Sequence, residues 1–345
     1  MPSPSRLVVL APNWLGDAVM ALPLLTDLHR AWPNTEIVVA ARQSVAPLFA
    51  MLPVVAGTIV FDGGGGRHAI AAATRNVALL RSGNFDAALL LPNSLLVAWL
   101  AWSAGITQRW GFAGDGRGPL LTKAIARPRT YGHQVEYYQG LVSGLGLAVG
   151  DRYAGVVVPD AARVRAAALL HEAGVRDGQR FVVFAPGAAY GRAKQWLPAR
   201  FAELAFLLAH DGVATVLVGA SGDTRVCDEV ARLARRQPEP AVIIDLSGRT
   251  DLATLAAVLS MAAAAVSNDS GAMHLAAAVG ARVTAIFGPT DERKTSPLTA
   301  TASAQPPRLV ATAVWCRPCM LRECPIDHRC MSGISAQQVQ QVTAL

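Results

Sequence analysis

Three short segments set polar side chains that can handle protons or anions beside turns built of small residues. The first, APNWLGDAVMALPLL (11–25), follows the apolar run RLVVL and places Asp17 directly behind Gly16 at a helix start. The positive end of the helix dipole favours a carboxylate there. The same carboxylate could take a proton from a substrate hydroxyl, and Gly16 allows close backbone approach. The second, FAPGAAYGRAKQWLPARFAEL (184–204), has Gly187 and Gly191 in a small-residue loop, then Arg192 and Lys194 ahead of Pro198, which can open a helix. Backbone N–H groups joined by a lysine ammonium suit a phosphate or diphosphate. The third, VSNDSGAMHLAAAVG (266–280), leads through Asn268, Asp269, Ser270 and Gly271 into an apolar helix. Asp269 or Ser270 can cap that helix, and its free N–H groups make an anion site. Asp269 would repel a diphosphate, so it is assigned to orienting the loop or accepting a sugar hydroxyl. His274 falls one turn in, on the face of Ser270, as a phosphate partner.

These segments need strands to present them. RLVVLA, EIVVAA, TIVFD and DAALLLP are strand-like with helical patterns between them, and the rhythm restarts with RFVVFAP, ATVLVG, AVIIDL, AAAAVSN and ARVTAIFGP. Such alternation predicts parallel sheets joined by right-handed crossovers. Each run opens with a strand ending in Ala-Pro, at 11–12 and 185–186. The expectation is an α/β protein of two doubly wound domains, 1–165 and 166–345, whose strand-end loops share a cleft. SAQQVQQVTAL reads as a terminal helix. DGGGGRH (62–68) lacks the Lys-Ser/Thr ending of a P-loop and the spacing of a dinucleotide fingerprint, and reads as a loop.

Composition narrows the partners. The chain has 345 residues, 52% of them hydrophobic, which suits two cores and excludes a disordered chain. Its longest apolar runs, LLVAWLAWSAGI and LAAVLSMAAAAV, are shorter than the roughly 18 residues that span a bilayer. MPSPSR lacks the features of a secretion signal, and a cytoplasmic protein is expected. The net charge of +7 attracts anions such as phosphates or an acidic membrane face. No basic helix or aromatic-and-basic motif points to nucleic acid. Four of the five cysteines, Cys316, Cys319, Cys324 and Cys330, crowd near His328. They are candidates for a structural zinc, with packed free thiols as the alternative reading.

PNWLGDAVMALPLL, LPNSLL, PGAAYGRAKQWL, NDSGAMHLAAAVG and IFGPTDERKTSPL, in that order from residue 6 to about residue 300, resemble the recurring segments of the lipopolysaccharide heptosyltransferases, which are ADP-heptose glycosyltransferases. The likeness is strongest to their type II branch. The resemblance implies a GT-B fold: two Rossmann-like domains facing a central cleft, with acceptor on the first and nucleotide-sugar on the second. It implies inverting transfer of L-glycero-D-manno-heptose from ADP-heptose to the first heptose of heptosyl-Kdo2-lipid A. Asp17 matches the family's proposed base. Gly187, Lys194, Ser270, Gly271 and His274 would serve the donor diphosphate, and Thr250 and Leu252 match the adenine region.

The implied acceptor is phosphorylated and carboxylated. Asn13, Gly16, Asn93, Ser94, Arg117 and His133 are its candidate contacts, with Arg67, Arg109 and Lys123 as further cations. No D-x-D-like metal pair stands beside these loops, so no cofactor or catalytic metal is expected, and peripheral contact with the anionic inner-membrane face is. Heptosyltransferases of type I or III and a nucleotide-sugar epimerase remain alternatives on the same fold.

Overall fold

The computed structural model describes residues 2–64, 66–237, 241–300 and 305–343. Two compact units divide between Val156 and Val157. In the first, the strands are β1 (Arg6–Leu10), β2 (Glu36–Arg42), β3 (Gly57–Phe61), β4 (Ala87–Leu90), β5 (Gln108–Phe112) and β6 (Lys123–Ile125). Its helices are α1 (Leu15–Met20), α2 (Leu22–Ala31), α3 (Ala46–Ala50), α4 (Ala69–Ser82), α5 (Leu95–Ser103) and α6 (Gln134–Gly144). Every pairing in the sheet is parallel, in the order β3-β2-β1-β4-β5-β6. β1 and β4 are apolar and buried on both faces, as central parallel strands must be.

The second unit repeats the plan with β7 (Phe181–Ala185), β8 (Ala214–Leu217), β9 (Ile243–Asp245), β10 (Ala264–Asn268), β11 (Val283–Phe287) and β12 (Arg308–Ala311). Its helices are α7 (Asp160–Glu172), α8 (Pro198–Ala209), α9 (Thr224–Ala234), α10 (Leu252–Met261), α11 (Gly271–Ala278), α12 (Glu292–Thr295), α13 (Arg329–Ser332) and α14 (Ala336–Val342). The sheet order β12-β11-β10-β7-β8-β9 is the first unit's order read from the other edge. Both sheets therefore reverse direction beside their first strand, between β1 and β4 and between β7 and β10. In open α/β sheets that reversal is where the crossover helices part to opposite faces and leave a crevice.

The division at 156/157 falls ahead of the boundary expected at 165/166. The expected boundary would cut α7, which packs against α10 and brings Arg165 within 3.7 Å of Asp251. The terminal helix packs on α8 of its own unit, with Gln337 donating to Glu203 at 2.8 Å. Three strands that the sequence pattern did not mark, β5, β6 and β12, lie towards the sheet edges.

Trp196 is the largest side chain fully buried in the second unit's core. Its ring meets Phe201 edge-on at 4.9 Å between centroids, and its indole N–H donates to the Ile334 carbonyl at 3.1 Å. Trp196→Ala should therefore cost about 3–5 kcal/mol, read as a lower urea midpoint for the second unit, whereas an unchanged midpoint would contradict this packing.

Candidate active site

In the first unit the loops after β1 and β4 flank the reversal point. Asp17 sits in the first turn of α1, whose N-cap residue Trp14 offers no side-chain bond. A cavity of about 300 Å³ opens beside it, lined among others by Asn13, Trp14, Asp17, Asn93, Arg127 and Tyr138. The Tyr138 hydroxyl donates to Asp17 Oδ1 at 3.0 Å. Burial, reinforced by the Asp17 charge, pushes the Tyr138 phenol well above its ordinary pKa, so it stays a donor through the neutral range. Burial likewise raises the Tyr131 phenol, with the Arg127 charge working the other way. A half-buried carboxylate at a helix start, facing a cavity and oriented by a phenol, can act as a general base.

Asn93 is fixed from both ends. Its amide donates to the Tyr137 hydroxyl at 2.6 Å and its oxygen accepts from Arg117 Nη2 at 3.1 Å. Arg117 itself is fully buried and also donates to the carbonyls of Phe112 and Pro92. Burial lowers its pKa, and the three acceptors offset the cost of desolvating its charge. Arg117, expected at the acceptor, braces the wall of the cavity in this structure. His133, expected there too, is placed at a helix start. It is buried, its Nδ1 accepts the Val135 N–H at 3.2 Å, and with Glu136 it closes a capping box on α6. Backbone N–H groups at His133 and Gly132 hold the Glu136 carboxyl below its ordinary range.

Ser94 is the N-cap of α5, accepting the Val97 N–H at 3.3 Å, and Gly16 lies within α1. Arg109 binds the carbonyls of Leu120, Ile106 and Thr107. Arg67 is exposed on a 3₁₀ turn, Gly66–His68, and Gly65 in the same loop lies outside the described residues.

The residues that sequence reasoning missed are Arg127, Tyr131, Gln134, Tyr137 and Tyr138, all at the cavity. A signal existed: three of the chain's five tyrosines fall within RTYGHQVEYY. Gln134 and Tyr138 stand four apart and so share a face of α6.

In the second unit the loops after β7 and β10 are joined by buried polar bonds. Asn268 donates to the Pro186 carbonyl at 2.7 Å and accepts the Trp196 N–H at 2.9 Å. Lys194 Nζ lies 2.7 Å from Asp269 Oδ2, with side chains only 13% and 4% exposed, and the Thr290 hydroxyl donates to the same oxygen at 2.6 Å. The Lys194 ammonium also sits 4.8 Å from the centre of the Tyr190 ring. Ser270 starts α11 without capping it; its hydroxyl lies 3.2 Å from that of Ser267. His274 is buried in α11. A Cβ on Gly187 would come 2.2 Å from Asp223 Oδ1, so any larger residue there requires the Asp223 carboxylate to move. Asp251, between Thr250 and Leu252, caps α10 by accepting the Thr254 N–H at 2.6 Å, which lowers its pKa. A lysine held beside an uncapped helix start can receive an anion.

The candidate zinc ligands, set beside free thiols as the other reading, are not gathered into a site. Among the described residues no group of three or more His, Cys, Asp or Glu could hold a metal ion. Cys330 is buried, while Cys319 and Cys324 are exposed. Cys227, buried at 0% exposure, has its thiol pushed up to about 12 by desolvation. The Cys-rich segment is held to the loops after β7 and β11, in part by main-chain bonds. Arg322 O accepts the Ala193 N–H at 2.9 Å, and Met320 bonds Pro289 O at 2.9 Å. The Tyr190 hydroxyl reaches Met320 O at 2.7 Å, and His328 Nε2 lies 2.7 Å from Ala193 O. Arg317 bridges the carbonyls of Gly288 and Thr290 and the Glu292 carboxylate.

Two reversal-point sites on two Rossmann-like units, one with a candidate base and one with a candidate anion cradle, define a nucleotide-sugar transferase architecture. Comparison with known proteins agrees. Residues 73–329 match the model of glycosyltransferase family 9 (heptosyltransferase). Lipooligosaccharide heptosyltransferase 2 of Haemophilus influenzae is 31% identical over 85% of this chain and 86% of its own. The structure of E. coli ADP-heptose lps heptosyltransferase II superposes with a TM-score of 0.82 at 25% identity, covering 97% of this chain and 96% of that one. E. coli heptosyltransferase WaaC with ADP shares the fold, with a TM-score of 0.73 at 20% identity over 97% of this chain and 98% of that one. The chain belongs to glycosyltransferase family 9 and is a glycosyltransferase of GT-B type.

The Lys194–Asp269 pair yields a stability test. Lys194→Met strands a buried carboxylate and should cost about 3–5 kcal/mol. Adding Asp269→Asn should return most of that loss, since no unpaired charge then remains. Thermal melts of the two variants decide it, and a double variant no better than the single would show that the pair is not coupled.

Proposed function

We propose that this glycosyltransferase moves L-glycero-D-manno-heptose from ADP-heptose onto the first heptose of heptosyl-Kdo2-lipid A, inverting the anomeric carbon. The observation that carries the reading is Asp17, oriented by Tyr138 at the mouth of a cavity beside the first sheet's reversal point. Relatives named heptosyltransferase 2 at about 30% identity support the substrate class.

In a single displacement the acceptor hydroxyl attacks carbon 1 of the heptose from the face opposite ADP. Asp17 takes the hydroxyl proton as the new bond forms and the bond to the diphosphate breaks. Asn13, Gly16, Asn93 and Ser94 are assigned to the acceptor loops, and Arg127 adds a cation for a phosphate or carboxylate. Charge growing on the departing ADP is met by Lys194, the N–H groups at Ser270 and Gly271, and His274. Asp269 aims Lys194 and can accept a sugar hydroxyl, Gly187 lets the loop backbone approach, and Thr250 and Leu252 border the adenine. Because Lys194 and the helix start supply the positive charge, no divalent cofactor is assigned to this step. A protein working on a lipid-anchored acceptor is placed at the cytoplasmic face of the inner membrane. No described helix is long and apolar enough to cross a membrane, and contact there would be peripheral.

The deciding experiment incubates the purified protein with ADP-heptose and heptosyl-Kdo2-lipid A, with and without EDTA, and reads products by mass spectrometry. A single heptose mass added equally under both conditions is expected; no addition to a verified acceptor sinks the assignment. Asp17→Asn should keep donor affinity while kcat falls at least about a hundredfold, and normal turnover would reduce Asp17 to a helix-start carboxylate.

Tyr138→Phe removes a donor that favours the ionised carboxylate. The acid limb of kcat/KM should therefore move to higher pH, and a profile superimposable on the parent's would count against Tyr138 as the residue that orients the base.

A further inference from the structure

Helix α5, LLVAWLAWS, carries no charged residue, yet only its inner side is covered. Ala98, Leu100 and Ala101 pack in the core of the first unit, whereas Leu95 and Leu96 are 50% and 56% exposed and Trp99 and Trp102 are 40% and 52% exposed. Leu95, Trp99 and Trp102 follow at i, i+4 and i+7, so they form one outward stripe with Leu96 beside it. A helix apolar on its solvent side needs a partner. On α4, which packs against α5, Ile70 and Leu79 are exposed as well.

Charge and position narrow that partner. Between residues 66 and 130 the chain has eight Lys and Arg against two Asp and Glu; Arg117 is buried and Arg75 pairs with Asp62, which leaves six cations against the two. Arg81 reaches the Ser103 carbonyl at the end of α5 at 2.7 Å, and Arg109 likewise binds carbonyls, so neither is bonded to a carboxylate. The stripe also continues into the candidate acceptor site. Leu91, Pro92 and Asn93 line the cavity, the next residue Ser94 caps α5, and Trp14, 56% exposed, lines the cavity on the other side.

We propose that the α5 face, with Leu95, Leu96, Trp99 and Trp102 as its apolar anchors, docks on an anionic phospholipid bilayer. Tryptophans with aliphatic neighbours partition to the headgroup level, and a surrounding excess of Lys and Arg is drawn to anionic lipid. A second copy of this chain would bring two basic surroundings together, whereas an anionic bilayer complements them. The proposal deepens the function above, since it rests on that reading of the acceptor as lipid-anchored: the cavity would open at the surface from which such an acceptor projects.

The test is co-sedimentation with vesicles of phosphatidylglycerol and phosphatidylcholine, against vesicles of phosphatidylcholine alone, at low and high salt. The parent protein should bind the anionic vesicles and lose binding as salt rises. The double variant Trp99→Ser/Trp102→Ser should partition at least about tenfold less while keeping its thermal midpoint. Transfer to a de-acylated, water-soluble acceptor should stay within about twofold of the parent's, because neither tryptophan lines the cavity. Quenching of tryptophan fluorescence by brominated acyl chains, strong in the parent and largely lost in the double variant, checks the docked face.

A parent that ignores anionic vesicles, or a folded double variant that binds them undiminished, overturns the proposal. So does a dimer in light scattering that the double variant abolishes, with no vesicle binding by the parent. Vesicle binding that depends on the tryptophans, without heptose transfer to any acceptor, would uphold the docking face and refute the substrate assignment alone.

Discussion

The parallel pairing of each unit's first strand with its fourth, β1 with β4 and β7 with β10, is the constraint on which everything else depends. Crossovers that start on either side of that pair must pass to opposite faces of the sheet. The chain leaving β1 and the chain leaving β4 thus border a crevice that no helix fills. In the first unit that crevice receives Asp17 and Asn93, and in the second Lys194 and Asp269. The polar residues are there because the backbone geometry keeps the place open.

An open crevice exposes loop backbone that must be satisfied without a sheet or helix to do it. Each unit has a buried polar side chain that bonds to loop main chain beside the crevice. Arg117 ties the carbonyls of Phe112 and Pro92 and the side chain of Asn93, and Asn268 ties Pro186 to Trp196. Such residues are costly to bury and hold their surroundings only when every polar atom is matched. The side chains lining the proposed sites are thereby held by neighbours buried behind them.

This division explains what could be read in advance. Strands such as RLVVL and RFVVFA announce themselves because buried parallel strands are continuously apolar. The Gly-Asp turn, the Lys194 loop and NDSG were legible because they combine turn residues with charge right behind such strands. QRWGF, KAI and RLVA were not, since edge strands are short and admit arginine, glycine and lysine. The burial of Arg117 and His133 was not legible, because residue type reports charge but not burial; only the fold turns one inward to carbonyls and the other onto a helix start. Tyr138 was missed for a related reason: its partner lies 121 residues away, and the local tyrosine cluster does not say what it faces.

The Cys-rich segment reaches the Lys194 loop mainly through backbone atoms, with Ala193 held from two sides and a Cβ on Gly191 only 2.3 Å from Arg322 O. Backbone-mediated contact makes the two stretches one cooperative unit, opening and closing together. Amides of the Lys194 loop would then exchange with solvent only as often as the C-terminal segment lifts. The local rigidity of the proposed donor cradle is thus set more than a hundred residues downstream, by a segment that grips it through carbonyl oxygens and the His328 imidazole.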